Sequence, residues 1–306
     1  MRISQIGAIS FIFMGCVSAL QAQEKGSIDP KPLAPIENID KSSLPAKQLF
    51  GRAIEPASLE ARSIGFYSKG CLAGAEALPV NGEAWQVMRL SRNRNWANPA
   101  LIEYLEGFAM RAKGVTGWPG ILVGDISQPR GGPMITGHAS HQIGLDADIW
   151  LTPMPNRKLS REEREEMSAV NMVSEDRLSV NEHWTSAHVA LIKAAAQDGQ
   201  VERIFVNAAI KKALCESPGD HGWLHKVRPY YGHDYHFHVR ISCPDNSDSC
   251  KSQDPVPAGD GCDASLEHWF SDEVLHPPKP ANPAKPKPPL TLAQLPEECR
   301  RVLLAK

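Results

Sequence analysis

"GHASHQIGLDAD", Gly137–Asp148, puts two histidines and two aspartates into twelve residues. Further on, "HDYHFHVR", His233–Arg240, holds three more histidines, so five of the chain's 11 histidines fall in two short windows. Gly144 interrupts any helix running through His141. Beyond it "LDADIWL" alternates with the period of a strand, placing Leu145, Ala147, Ile149 and Leu151 on one face and Asp146, Asp148 and Trp150 on the other. "HFHVRIS" (His236–Ser242) alternates in the same way. Phe237, Val239 and Ile241 face a core, while His236, His238 and Arg240 project together. If the two strands are neighbours and His141 folds back across its turn, then His141, Asp148 and His238 converge on one point.

Two strands with one apolar face each need a layer to cover them, and the rest of the chain supplies it. "NPALIEYLEGFAMRAK" (Asn98–Lys113) has an Asn cap and apolar residues at helical spacing. "TSAHVALIKAAAQ" and "NAAIKKALC" read as further helices, and "GILVGDIS" and "VERIFV" as short strands. "SREEREEMSAV" (Ser160–Val170) reads as a charged helix or solvated loop with no functional content. The expected class is α+β: a single domain around a small, mainly antiparallel sheet that carries the metal ligands, with helices packed around it.

The flanks differ in character. Residues 1–22 have a basic start at Arg2, an apolar run too short to span a bilayer, and Ala22 at a cleavable position, which is the pattern of a secretory signal peptide. Residues 23–63 are expected to be an extended N-terminal arm and 64–274 the folded domain. Residues 275–306 contain "HPPKPANPAKPKPPL", a proline-rich strap that favours extended polyproline structure. No other segment is apolar enough to insert stably in a membrane. The 33 basic and 35 acidic side chains give a formal charge of −2, without the basic excess of a nucleic-acid binder.

Seven cysteines become six once Cys16 leaves with the signal. An even number in an exported chain points to disulfides, and six cysteines allow 15 connectivities. Cys243 and Cys250 bracket a turn-rich loop that a disulfide can close. No spacing is of the CxxC type, so a metal here is held by histidine and carboxylate. Two histidines, one carboxylate and an open position make the usual catalytic zinc pattern, whereas a structural site would need a fourth protein ligand. His236, on the same face as His238, and His233 are the candidate bases. Asp146 either orients a ligand histidine or caps a turn. His138 is open between a supporting donor, a ligand of a second ion and a loop residue. Three other motifs fail: "GHASH" lacks the glycine of a serine nucleophile turn, "DNSDSC" lacks the features of a calcium loop, and "GDGC" has no strand–helix context for phosphate.

"HASHQIGLDADIW" followed by "HDYHFHVRISCP" closely resembles the penicillin-insensitive murein endopeptidases of the Gram-negative periplasm. These are zinc peptidases of the group that includes D-Ala-D-Ala metallopeptidases and lysostaphin-type enzymes. The resemblance extends through "FYSKGCLAGAEALP", "RIFVNAAIKKALC", "WLHKVRP" and "GDGCDASLEHWF". It implies one zinc on His141, Asp148 and His238, with His236 and His233 around the catalytic water. His138 is similar to a histidine sometimes assigned to a second zinc. The other ligands of that second site would fall in "VSEDRLSVNEHW", where Asp176 is similar to one and no histidine matches the next. The implied disulfides are Cys71–Cys299, Cys215–Cys262 and Cys243–Cys250. The implied substrate is cross-linked peptidoglycan in the periplasm, cut between D-alanine and the side-chain amine of meso-diaminopimelate. Arg130, Arg228 and Arg240 are candidates for its carboxylates. The alternatives are a zinc D,D-carboxypeptidase or dipeptidase acting on uncross-linked stem peptides, and a non-catalytic wall-binding protein, whose usual mark would be a lost ligand.

Overall fold

The computed structural model describes residues 33–34, 36, 38–39, 43–277 and 288–306. Residues 1–22, read as a signal peptide, and the centre of the proline-rich run lie outside them. Among the described residues ten strands form three sheets: β1 (Arg62–Phe66), β2 (Lys69–Ala73), β3 (Glu76–Ala77), β4 (Trp85–Val87), β5 (Trp96–Ala97), β6 (Ile121–Val123), β7 (Asp146–Trp150), β8 (Val201–Val206), β9 (Val227–Pro229) and β10 (His236–Ile241). The main sheet has the order β4-β6-β7-β10-β8-β9. Its four central strands are antiparallel, and parallel pairs close both edges. The α+β reading and the adjacency of the two key strands are both borne out.

Register places the site. Across β7 and β10, Asp148 lies opposite His238, Asp146 opposite Arg240 and Trp150 opposite His236. Directly opposed side chains on one face are near enough to interact. Behind them Ala147, Ile149, Phe237 and Val239 are fully buried. The helix Pro99–Thr116 covers this apolar side. Asn98 caps it by accepting a hydrogen bond from the Ala100 amide, Pro99 occupies its first turn, and Gly117 ends it at φ 72°. Its Phe108 meets Phe237 edge-on at 6.2 Å.

A second core joins the two ends of the chain on the β1–β2 hairpin. Leu49 and Phe50 of the short helix Ala46–Phe50 pack with Val302 and Leu303 of the helix Glu297–Leu304, around the Cys71–Cys299 disulfide. The N-terminal segment is therefore not extended throughout, because its last apolar residues have a hydrophobic partner. The C-terminal strap ends in a docked helix for the same reason. The other two disulfides are Cys215–Cys262 and Cys243–Cys250, so all three implied pairs are present. Cys71 and Cys299 are 228 residues apart. The chain-entropy relation assigns closure of a loop that long about 5 kcal/mol, against about 2 kcal/mol for the shortest loop. The Cys71→Ser/Cys299→Ser protein is thus expected to show a large fall in denaturant midpoint, while the Cys243→Ser/Cys250→Ser protein falls much less. Equal losses in the two would contradict the entropic account.

The charged helix Arg161–Glu166 corrects the sequence reading. Arg164 and Glu165 are buried. Arg164 donates to the Val87 carbonyl and the Gln86 side chain, and Glu165 accepts from the Ser91 amide and hydroxyl. Two adjacent members of the run therefore anchor residues 86–91 rather than meet solvent.

Candidate metal centre

His141 reaches the site through a left-handed backbone (φ 66°), as does His233 (φ 56°). A non-glycine residue held there carries strain, which persists only where its surroundings fix it. For His141 the fixing bonds are clear. Its amide donates to Asp146 Oδ2 at 3.1 Å, and its carbonyl accepts from Ser127 Oγ at 2.7 Å. Gly144 completes the turn at φ 71°. A Cβ there would lie 2.6 Å from a Leu72 methyl and 2.8 Å from the Asn98 amide, so only glycine fits.

Two ring nitrogens then face one buried carboxylate oxygen. His141 Nδ1 lies 2.6 Å from the Ile126 carbonyl, so Nδ1 carries the proton and Nε2 presents a lone pair. His238 Nε2 lies 2.7 Å from Asp146 Oδ1, which likewise leaves the lone pair on Nδ1. Both lone pairs point at Asp148 Oδ1, each from 3.4 Å. His141 Nε2 and Asp148 Oδ1 are buried without a hydrogen-bond partner. Acceptors at such a distance with no proton between them repel unless a cation sits among them, so this donor set fits a metal ion.

Asp146 does not cap a turn in isolation. It accepts from His238, from Arg240 Nε at 2.7 Å and from the His141 amide, fixing the orientation of both histidines. Burial alone would raise its pKa, but Arg240 and His238 hold it well below the usual carboxylate range. Asp148 is held low in the same way, with His236, His138 and His141 outweighing burial.

His138 also joins the cluster. His138, His141 and Asp148 can each offer one ligand atom within 4.8 Å of the others, and this group could hold a metal ion. The same ring nitrogen, however, lies 3.1 Å from Asp125 Oδ2 and 3.5 Å from Asp148 Oδ2. Burial would lower its pKa, yet Asp148 and Asp125 raise it, so His138 favours a proton where His238 favours a lone pair. Asp176 does not approach the cluster. It accepts from Ser174 Oγ and the Leu178 amide at a local turn.

His236 and His233 stand beside this group. His236 Nε2 is 3.6 Å from Asp148 Oδ1, its Nδ1 is buried without a partner, and its ring lies 4.8 Å from that of His233. Burial pushes His238 down to about 3 and His233, beside His236, to about 4; it lowers His236 as well. In the metal-free protein these three rings are thus neutral, while unfolded histidine takes up a proton below its ordinary 6.5. The unfolded state then binds more protons, so stability is lost as pH falls from 6.5 towards 4 and 3. His138, whose pKa is raised, opposes this alone. The melting temperature of chelated protein is therefore expected to be lower at pH 5 than at pH 7.5. A flat or rising trend towards acid would contradict the burial of neutral histidines.

The cluster opens into a cleft of about 270 Å³. Beyond His138, Asp148, Trp150 and His236, its walls were not legible in the sequence. Asp125 is buried and paired with Arg94 at 2.8 Å and Arg92 at 3.0 Å. Arg89 spends its guanidinium on the carbonyls of Arg164, Glu165 and Met167, while Trp150 and Tyr235 add aromatic walls. The arginines expected for substrate are elsewhere. Arg130 binds the last carbonyls of the C-terminal helix, Arg240 lies buried over the Tyr67 ring and on Asp146, and Arg228 stands beside Gly261. His188 donates to the Leu151 carbonyl and pairs with Thr185, a satisfied core histidine. Among the described residues no helix is long and apolar enough to cross a membrane.

A model of the family described as penicillin-insensitive murein endopeptidase matches residues 63–304. Proteins of that name from three bacteria are similar to this chain. The one from Haemophilus influenzae is 47% identical over 258 residues, covering 84% of this chain and 87% of its own. The one from Salmonella heidelberg is 42% identical over 247 residues, covering 79% and 86%. The one from Pectobacterium atrosepticum is 38% identical over 282 residues, covering 92% and 97%.

Proposed function

The chain belongs to the penicillin-insensitive murein endopeptidase family, and on that premise we propose that it is a periplasmic, zinc-dependent endopeptidase. Its bond is the D-alanyl–meso-diaminopimelyl cross-link of peptidoglycan. The observation that carries the metal is the unprotonated triangle of His141 Nε2, His238 Nδ1 and Asp148 Oδ1. We assign those three as the ligands of one zinc. His138 is less suited to ligation, because Asp125 already engages its Nε2, and a second ion there would have to displace that contact.

A zinc ion bound there supplies Lewis acidity to the scissile carbonyl and makes a water acidic enough to attack near neutral pH. The chain's own residues do the rest. Asp146 holds the His238 ring so that its lone pair stays on the ligand side. His236, lowered by burial and thus neutral, accepts the attacking water's proton. His233, whose Nδ1 is tied to the Tyr231 carbonyl at 2.9 Å, turns the lone pair of its other nitrogen to the same space, takes over the proton that His236 drew from the water and passes it to the leaving amine. Arg92 faces the cleft with one nitrogen on Asp125 and suits a substrate carboxylate. No serine nucleophile is needed, so a β-lactam has nothing to acylate. Export by residues 1–22 delivers the chain to the compartment that holds this substrate and permits its disulfides.

Digestion of purified cross-linked muropeptides tests the reading. Dimers are expected to become monomers, and a chelator is expected to stop the reaction. Release of free D-alanine with dimers left intact would favour the carboxypeptidase. Cleavage unaffected by chelator would sink the zinc mechanism.

A further inference from the structure

Strand order divides the surface around β10. On the β7 side lies the cleft with Arg89, Arg92 and Asp125, where charge dominates. On the β8 and β9 side the surface is aromatic. Rings step outward from the metal centre: His238 to His233 at 5.9 Å, His233 to Tyr230 at 5.7 Å, Tyr230 to Tyr231 at 6.3 Å, and Tyr231 to Trp269 at 4.9 Å. Tyr230 and Tyr231 are 51% and 66% exposed, a cost in water that a monomer accepts mainly at binding surfaces.

The ledge is also held in place. The Tyr230 amide donates to the Val206 carbonyl, and the Asn207 amide and side chain hold the carbonyls of His233 and Gly232. Cys215–Cys262 ties the segment leading to Trp269 onto the helix Ala208–Cys215. Exposed aromatic rings on a pinned backbone lose little entropy on binding.

We infer that Tyr230, Tyr231 and Trp269 bind the glycan strand of peptidoglycan. Pyranose rings are uncharged and present C–H faces that stack on aromatic rings, while their hydroxyls can bond phenol and indole groups. None of the phenol or indole groups of these three residues hydrogen-bonds a described residue. Stem peptides carry carboxylates, whose complement is the arginine side of His236, whereas the ledge side chains carry no charge. The inference rests on the proposed endopeptidase reading, because a cross-linked peptide remains attached to glycan that must cross the surface beside the cleft.

The test uses the mature zinc-loaded protein and a Tyr231→Ala/Trp269→Ala variant, in which the Tyr231 carbonyl that accepts from His233 is retained. Two measurements are made: calorimetric binding of an uncharged oligomer of β-1,4-linked N-acetylglucosamine, and kcat/KM on cross-linked substrates with and without glycan. Wild type is expected to bind the oligomer and the variant to bind it at least about tenfold more weakly. On glycan-bearing substrate kcat/KM should fall roughly tenfold, and on glycan-free cross-linked peptide by less than about twofold. No binding of the oligomer by wild type, or equal losses on both substrates, would overturn the ledge. Wild type that cuts neither substrate would overturn the peptidase reading instead, leaving the oligomer titration to decide the ledge.

Discussion

The His238→Ala protein is expected to hold no stoichiometric zinc and to leave cross-linked muropeptides uncut. Removing a group that only orients a ligand typically costs about 10–100-fold in metal affinity, and Asp146→Asn should fall in that range. His238→Ala removes a proposed ligand itself, so its loss should exceed that of Asp146→Asn. The fold should survive, because Asp146 keeps Arg240 and the His141 amide as donors after His238 is truncated. Metal analysis, thermal melting and muropeptide digestion on both variants separate the effects. A His238→Ala protein that retains one zinc per chain would show that His138 completes the site with His141 and Asp148, the other set the geometry allows.

The second large effect concerns proton transfer. His236→Ala should keep its zinc, since His236 Nε2 is 3.6 Å from Asp148 and is not one of the converging lone pairs. Its turnover should fall by roughly 10²–10⁴-fold, the usual range for a lost general acid or base. His233→Ala should fall by a similar factor with a different pH profile. If His236 is the base, its loss flattens the acid limb, which loss of His233 should leave in place. The reverse pattern would exchange the two roles.

The proposed strand-borne ligands could be read from the sequence because strand periodicity is strict. Once "LDADIWL" and "HFHVRIS" are read as strands, Asp148 and His238 must share the polar side with Asp146 and His236. Adjacency of β7 and β10 then makes the pairs. Asp125 was not legible. It is a lone carboxylate just past the end of β6, and its partners Arg92 and Arg94 come from a basic stretch that reads as surface. Arg164 and Glu165 were misread for a related reason: a charge run has no period that marks the members reaching inward. Arg130 and Arg240 sit close to the motifs in sequence, yet Arg130 is held by the terminal carbonyls and Arg240 lies on Asp146 and over the Tyr67 ring. Sequence proximity to a motif does not establish proximity to the cleft.

The three disulfides have a consequence for the order in which this chain can be assembled. Read from the N-terminus, the six cysteines pair first with sixth, second with fifth and third with fourth, as concentric brackets. A chain emerging N-terminus first offers Cys71 and Cys215 to an oxidant before any native pair is complete, and their union would be wrong. The first correct bond available is the innermost, Cys243–Cys250, and the last waits for Cys299. An oxidant that joins cysteines strictly as they appear would therefore trap this chain, and reaching the native set requires delayed oxidation or reshuffling. Because Cys71–Cys299 closes last, the hairpin that buttresses the His141 turn through Leu72 and Gly144 is secured only after Cys299 has emerged.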